Sequence, residues 1–232
     1  MPNAVIVAHG QPSDPEPAEA ALAAYAAEVN EMCGGVNVTS ATLAAPSRLE
    51  HCLDDLPDDT VIYPLFMAKG WFVTSALPKR LGGRELRILD PLGVDKALPA
   101  IAAEAIGSTI QSNTWSTDQC NLILAAHGSG RSRNPSAVAN QFAELVSERI
   151  KLKSIRVGFV EEAPSISEAA TNSGQIALCL PFFACRGGHV LEDVPQELEQ
   201  AGFQGKVMPV IGELPGVKRH ISAVLAQAFE KV

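Results

Sequence analysis

The sequence predicts an α/β protein of two tandem repeats, each a four-stranded parallel sheet flanked by helices in three αβα layers. Three observations carry that expectation. NAVIVAHG (3–10) returns as NLILAAHG (121–128), and AAPSRLEHCL (44–53) returns as EAPSISEAAT (162–171), both at an offset of 118. The proline-framed YPLFMAKGWFVTSALP (63–78) returns as LPFFACRGGHVLEDVP (180–195) at an offset of 117. Collinear self-similarity of this length marks a duplicated unit. Within each copy, short β-branched and apolar runs alternate with helical patterns, the signature of βα units and a parallel sheet.

In chain order, the first copy offers strands at 4–8, 36–41, 60–65 and 85–89. Between the first two lies a long helical pattern. Asp14 stands as its N-cap, Pro15 in its first turn, and Gly34 and Gly35 stop it. The polar stretch GSTIQSNTWSTDQ (107–119) reads as a linker, which divides the chain into repeats 1–110 and 119–232. The second copy offers strands at 121–126, 155–160, 175–180 and 206–211, and a closing helix at about 215–231.

Composition excludes several classes. With 47% hydrophobic and 19% charged residues the chain reads as an ordinary globular protein. A formal charge of −8 and no local basic patch argue against nucleic acid. No run is long enough to span a bilayer, and the N-terminal residues carry no secretory pattern, so no membrane partner and a cytoplasmic location are expected. Five cysteines without a CxxC pair fit a reducing compartment and argue against a disulfide framework or a ribbon-type zinc site.

In open α/β sheets, ligands bind beyond the carboxyl ends of the strands. On that rim the second copy places His127 after its first strand, Glu161 and Glu162 after its second, and Arg186 and His189 after its third. The first copy is an internal control. It keeps His9, but Leu43 and Ala44 stand opposite the glutamates and Phe72 opposite His189. Groups needed for folding should persist in both copies, so their loss from one points to chemistry in the other. Plainer readings stand beside this one. His127 can donate to a loop carbonyl, His189 can start a helix, and Cys185 fits a small buried hydrophobe as well as a thiolate ligand. His51 and His220 fall in helical patterns as surface residues. The loop SGRSRNP (129–135) lacks the order of a phosphate loop, and Ser129 lacks a nucleophile elbow.

Taken together, AHGS, FVEEAPS and PFFACRGGHVLEDVP resemble the class II chelatases of the sirohydrochlorin cobaltochelatase and ferrochelatase type, over nearly the whole chain. The resemblance implies a chelatase-like, flavodoxin-like fold and ATP-independent insertion of Co²⁺ or Fe²⁺ into sirohydrochlorin or a related tetrapyrrole, in cobalamin or siroheme biosynthesis. The metal is then a substrate, with no permanently bound cofactor. The metal-handling histidines map onto His127 and His189 and the acid onto Glu161 or Glu162. The segment between Phe159 and Pro164 departs from the family pattern in length and leaves those two open. Only the second repeat is expected to be catalytically equipped, with the halves forming a pseudo-dimer in a monomer or weak homodimer.

Metal insertion removes two pyrrole protons and strips water from a borderline cation, which calls for transient nitrogen ligands and a proton acceptor. Ring-edge carboxylates call for cations and backbone N–H groups. Arg131, Arg133, Arg186 and Lys69 are the cationic candidates, with Ser129, Gly187 and Gly188 on the backbone side. Phe182, Phe183, Trp71 and Phe72 are candidate contacts for the macrocycle face, or core. Two other functions fit the same residues: a non-catalytic tetrapyrrole or metal carrier, and a zinc-dependent hydrolase using His127, His189 and Cys185.

Overall fold

In the computed structural model, residues 1–130 and 134–230 are described. They fall into two compact units, residues 1–94 with the chain from Val217 onward, and residues 95–216. In the first unit β1 (Asn3–Ala8), β2 (Asn37–Thr42), β3 (Val61–Pro64) and β4 (Arg87–Ile88) form a parallel sheet in the order β2-β1-β3-β4. In the second, β5 (Asn121–Ala126), β6 (Ser154–Phe159), β7 (Ala177–Pro181) and β8 (Lys206–Val207) repeat that order as β6-β5-β7-β8. The eight strands stand where the apolar runs place them. Those runs are continuous because a parallel sheet is covered on both faces, and every residue of β5 is buried.

The helices are α1 (Pro15–Met32), α2 (Arg48–Asp54), α3 (Leu77–Arg80), α4 (Leu98–Ser112), α5 (Asn134–Ser147), α6 (Ile166–Ala170), α7 (Val194–Gln200) and α8 (Pro215–Glu230). Equivalent cores form in the two copies. Val5, Val7, Leu49 and Leu77 pack in one, and Ile123, Ala125, Ile166 and Val194 in the other. His51 is exposed on α2, and His220 is half-buried on α8.

Three local expectations need correction. Asp14 occupies the cap position of α1, but its side chain makes no capping hydrogen bond. The fourth strands are two residues long, not the expected five or six, because the chain bends away into 3₁₀ turns at Leu92–Val94 and Ile211–Glu213. The 107–119 stretch is not a linker throughout, since α4 runs on to Ser112. Its polar residues hid a buried stripe of Leu98, Ala102, Ile106 and Ile110 at fourfold spacing, and that stripe keeps the helix going.

The compact units divide the chain differently from the sequence copies. Helix α4, the last of the first copy, lies in the second unit, where it packs on α5. Helix α8, the last of the second copy, lies in the first unit, where Lys218 pairs with Glu28 at 2.6 Å and Arg87 donates to the Ala228 carbonyl at 2.8 Å. Among the described residues no helix is long and apolar enough to cross a membrane.

If α4 is held by its apolar stripe, Ile106→Ala lowers unfolding stability by about 2–5 kcal/mol, whereas Gln111→Ala on the exposed face changes it by less than about 0.5 kcal/mol. Urea denaturation followed by circular dichroism checks both.

Candidate metal-handling site

The strand order places β5 beside both β6 and β7, so the chain runs first to one side of β5 and then to the other. Such a switch point opens a crevice at the carboxyl ends of the strands. His127 is the first residue beyond β5. Gly128, with φ +69, turns the chain sharply, and its carbonyl accepts a 2.9 Å hydrogen bond from Nδ1 of His127. A side chain is disfavoured there, because φ is positive and a Cβ on Gly128 would stand 2.9 Å from the Cβ of Phe159. The carbonyl is an acceptor only, so Nδ1 carries a proton, and in the neutral ring the lone pair lies on Nε2.

Beyond β6 the ladder continues for two hydrogen bonds. Val160 N–H donates to the Ala126 carbonyl and Glu161 N–H to the His127 carbonyl, both at 3.0 Å. Glu161 is thereby fixed beside His127, with Oε2 3.9 Å from its Nδ1. Glu162 does something different: its Oε1 accepts the Ser129 N–H at 2.8 Å and so holds the loop that follows Gly128. Of the two glutamates left open by the sequence, Glu161 lies beside the imidazole and Glu162 braces the loop.

His189 opens a π-helical turn, His189–Asp193, in which the Val194 N–H reaches back to the His189 carbonyl. In that turn Asp193 lies beside His189 and accepts a 2.6 Å hydrogen bond from its Nδ1. The two imidazoles meet edge to face, with ring centroids 4.5 Å apart and planes at 86°. One ligand atom from each of His127, Glu161 and His189 lies within 4.8 Å of the others, the group among the described residues that could hold a metal ion. Side-chain exposures of 43% for each histidine and 47% for Glu161 leave this group open on one side.

The other expected residues divide. Arg186 is bound to Glu213 at 2.9 Å but remains 61% exposed. Gly187 borders open space, since a Cβ there would meet nothing within 4 Å, and Gly188 begins the π-turn in helical conformation. Arg131 and Arg133 lie outside the described residues. Phe182 is core, 3% exposed and tilted against Phe142, while Phe183 is half-buried with its centroid 6.5 Å from that of His127. Lys69 pairs with Asp90 at 2.6 Å in solvent. Cys185 stays outside the ligand group, and burial, with the Glu213 carboxylate adding to it, pushes its thiol up to about 12.

The first copy reproduces this frame with other side chains. His9 donates to the Gly10 carbonyl at 2.8 Å, and Gly10 has φ +77. The ring facing it at 4.3 Å, edge to face, is Phe72, which opens an equivalent π-turn, Phe72–Ala76. Ala44 N–H donates to the His9 carbonyl as Glu161 does to that of His127. This sets Ala44 opposite Glu161, where the offset of 118 set it opposite Glu162, because the second copy carries one more residue before its proline. Asp193 is the residue that sequence reasoning missed. Its signal was available, since Ala76 stands opposite it at the offset that sets Phe72 opposite His189.

With this geometry in place, comparison with known proteins gives one consistent result. The CbiX family model matches residues 3–109 and again residues 121–232. The chain belongs to the CbiX family. A solved structure described as CbiX, the terminal enzyme for biosynthesis of siroheme in denitrifying bacteria, is 42% identical, with 98% of each chain covered and a TM-score of 0.85. A protein of Halobacterium salinarum named "Probable sirohydrochlorin cobaltochelatase" is 22% identical over 227 residues, covering 83% of this chain and 75% of that one. SirB from Bacillus subtilis, solved with Fe³⁺, is 16% identical over 98% of this chain and 96% of its own, with a TM-score of 0.75, and shares the fold. The two CbiX matches coincide with the two sequence copies, and the three converging side chains all belong to the second.

If Cys185 takes no part in holding metal, Co²⁺ added to the protein gives no thiolate-to-cobalt charge-transfer band in the near ultraviolet. Cys185→Ser then keeps Co²⁺ affinity within about twofold, read by equilibrium dialysis.

Proposed function

We propose that this protein is a sirohydrochlorin metal chelatase that inserts Co²⁺ or Fe²⁺ into the macrocycle without ATP, and that His127, Glu161 and His189 carry the reaction. The observation that carries the reading is the convergence of two imidazoles and a carboxylate on one open rim, in the copy that retained them. The names of the CbiX-family relative from denitrifying bacteria and of the halobacterial protein support the same substrate.

The chemistry follows from the residue types. A divalent ion and the metal-free macrocycle give the metallated macrocycle and two protons. Neutral imidazole binds borderline cations, and bonds from both Nδ1 atoms to acceptors leave both Nε2 lone pairs for the ion. Three protein ligands, each nearly half exposed, hold it loosely and leave positions for pyrrole nitrogens. A closed four-ligand cage would keep the metal, as structural zinc sites do. As the ion passes to the macrocycle the histidines are freed to accept the pyrrole protons, and Glu161 relays them outward.

Asp193 is a positioning residue. A carboxylate bound to the far nitrogen of a metal-binding imidazole fixes the ring's orientation and raises its basicity. Arg186, which keeps exposed N–H groups beside its Glu213 bond, and the open backbone at Gly187 suit a ring-edge carboxylate. The five cysteines are free, which fits a cytoplasmic location.

The assay follows the absorbance of metal-free sirohydrochlorin with Co²⁺ or Fe²⁺, with and without protein. Acceleration over spontaneous insertion is expected, and tight tetrapyrrole binding with no acceleration selects a carrier instead. His127→Ala and His189→Ala each lose about a hundredfold or more in insertion rate and Co²⁺ affinity, whereas His9→Ala keeps its Co²⁺ affinity. Glu161→Gln lowers the rate more than Glu162→Gln does.

Asp193→Ala lowers Co²⁺ affinity about 10- to 100-fold, and Asp193→Asn, which keeps an acceptor oxygen, recovers part of the loss. Calorimetric titration with Co²⁺ reads both without recourse to turnover. Equal affinities in Asp193→Ala and wild type contradict the positioning role.

A further inference from the structure

The first copy keeps the frame of the metal-handling group with only small differences. His9 donates from Nδ1 to the Gly10 carbonyl at 2.8 Å, as His127 does to that of Gly128 at 2.9 Å, and the two glycines turn with φ +77 and +69. Trp71 (φ −53, ψ −37) precedes its π-turn as Gly188 (φ −49, ψ −49) precedes the other, and Leu77 (φ −61, ψ −52) follows as Val194 (φ −60, ψ −48) does. Each turn presents a ring edge to face with a histidine, Phe72 at 4.3 Å and 74°, His189 at 4.5 Å and 86°. Leu43, like Val160, packs on the core of its copy. The next residue, Ala44 like Glu161, therefore turns to the opposite side, beside the histidine whose carbonyl its N–H meets.

Ligand atoms are placed by the backbone that carries them. In the first copy that backbone stands ready, and three side chains are missing: an imidazole at 72, a carboxylate at 44, and at 76 the carboxylate that would orient the imidazole. All three positions have room, since Phe72 is 37% exposed and Ala44 and Ala76 are half-buried. With Nδ1 bonded to a carbonyl, neutral His9 has its lone pair on Nε2, the form in which imidazole binds borderline divalent ions. Among the described residues, however, the three-ligand group that could hold an ion lies in the second copy. Where the second imidazole would stand, Phe72 puts a ring without a donor atom.

We propose that Phe72 closes a second site for a borderline divalent cation such as Co²⁺ or Fe²⁺, which the backbone around His9 is still shaped to hold. The assignment rests on the metal-handling reading of His127, Glu161 and His189 and extends it to the first copy. Phe72 determines where the ion goes. An ion captured at His9 would have no Glu161 beside it to relay protons, so a donor-free ring there confines the substrate metal to the equipped copy.

The test is titration of the full-length protein with Co²⁺, without tetrapyrrole, by calorimetry and equilibrium dialysis. The variants are Phe72→His, Phe72→His with Ala76→Asp, that pair with Ala44→Glu, and Phe72→Leu. Wild type and Phe72→Leu hold about one Co²⁺ per chain, and the triple variant about two. Ala76→Asp tightens the second site about 10- to 100-fold over Phe72→His alone. Adding His9→Ala to the triple variant returns the count to about one, which assigns the new ion to His9. A thermal melt verifies folding. Phe72→His exchanges one exposed ring for another, so it carries the test alone if the triple variant does not fold: a cobalt-edge anomalous peak beside His9 is expected in it and none in wild type. A folded triple variant that holds one Co²⁺, a second ion that survives His9→Ala, or an ion at His9 in wild type overturns the proposal while the ligand set of the second copy stands. If wild type holds no Co²⁺ between His127 and His189, the metal-handling reading fails and the proposal with it.

Discussion

Two hydrogen bonds from the δ nitrogens of a histidine pair govern the rest of the site. One runs from His127 to the carbonyl of the next residue and the other from His189 to Asp193. Each places a proton on Nδ1, so that in the neutral rings the lone pairs lie on Nε2, and the rings meet edge to face. Everything around the pair preserves that arrangement. Gly128 takes a left-handed turn to present its carbonyl, and Glu162 pins the loop that follows through the Ser129 N–H. The π-helical turn sets Asp193 beside the ring it serves. The loop after β7 is tied down in turn by Gly212, whose N–H reaches the Phe183 carbonyl and whose missing Cβ would stand 1.9 Å from the Ala184 oxygen.

The first copy shows how far this backbone can be kept while its chemistry changes. His9 makes the same bond to Gly10, the π-turn recurs, and Gly93 approaches the Met67 carbonyl as closely as Gly212 does that of Ala184. The replacement of His189 by Phe72 and of Asp193 by Ala76 belongs together. Without an imidazole the carboxylate would lose its partner and gain only desolvation cost. The loss of Glu161 to Ala44 completes the change. Aromatic rings then occupy the rim that in the second copy bears His127, Glu161 and His189.

Much of this was legible in the sequence because duplication supplies its own comparison. The two parallel βα sheets, the placement of His127 and His189 on one rim, and the loss of the second histidine from the first copy follow from offsets and apolar runs. Choosing between Glu161 and Glu162 did not, because one extra residue before Pro164 shifts the register and only the ladder bonds from Val160 and Glu161 resolve it. Asp193 escaped because a partner four residues away is a familiar helical spacing, unremarkable until the π-turn and Ala76 are considered together. Phe182 and Phe183 looked alike in sequence, yet adjacent residues at a strand end point to opposite faces, and only Phe183 borders the site. The polar surface of α4 concealed the stripe that ends in Ile110.

The central claim is that metal is handled in one copy only, by His127, Glu161 and His189. Anomalous diffraction at the cobalt edge from crystals soaked in Co²⁺ tests it directly. The account predicts one peak within bonding distance of both imidazoles and the Glu161 carboxylate, and none beside His9. A peak of equal height at His9 and Phe72, or a peak bound to Cys185 in place of Glu161, would contradict it.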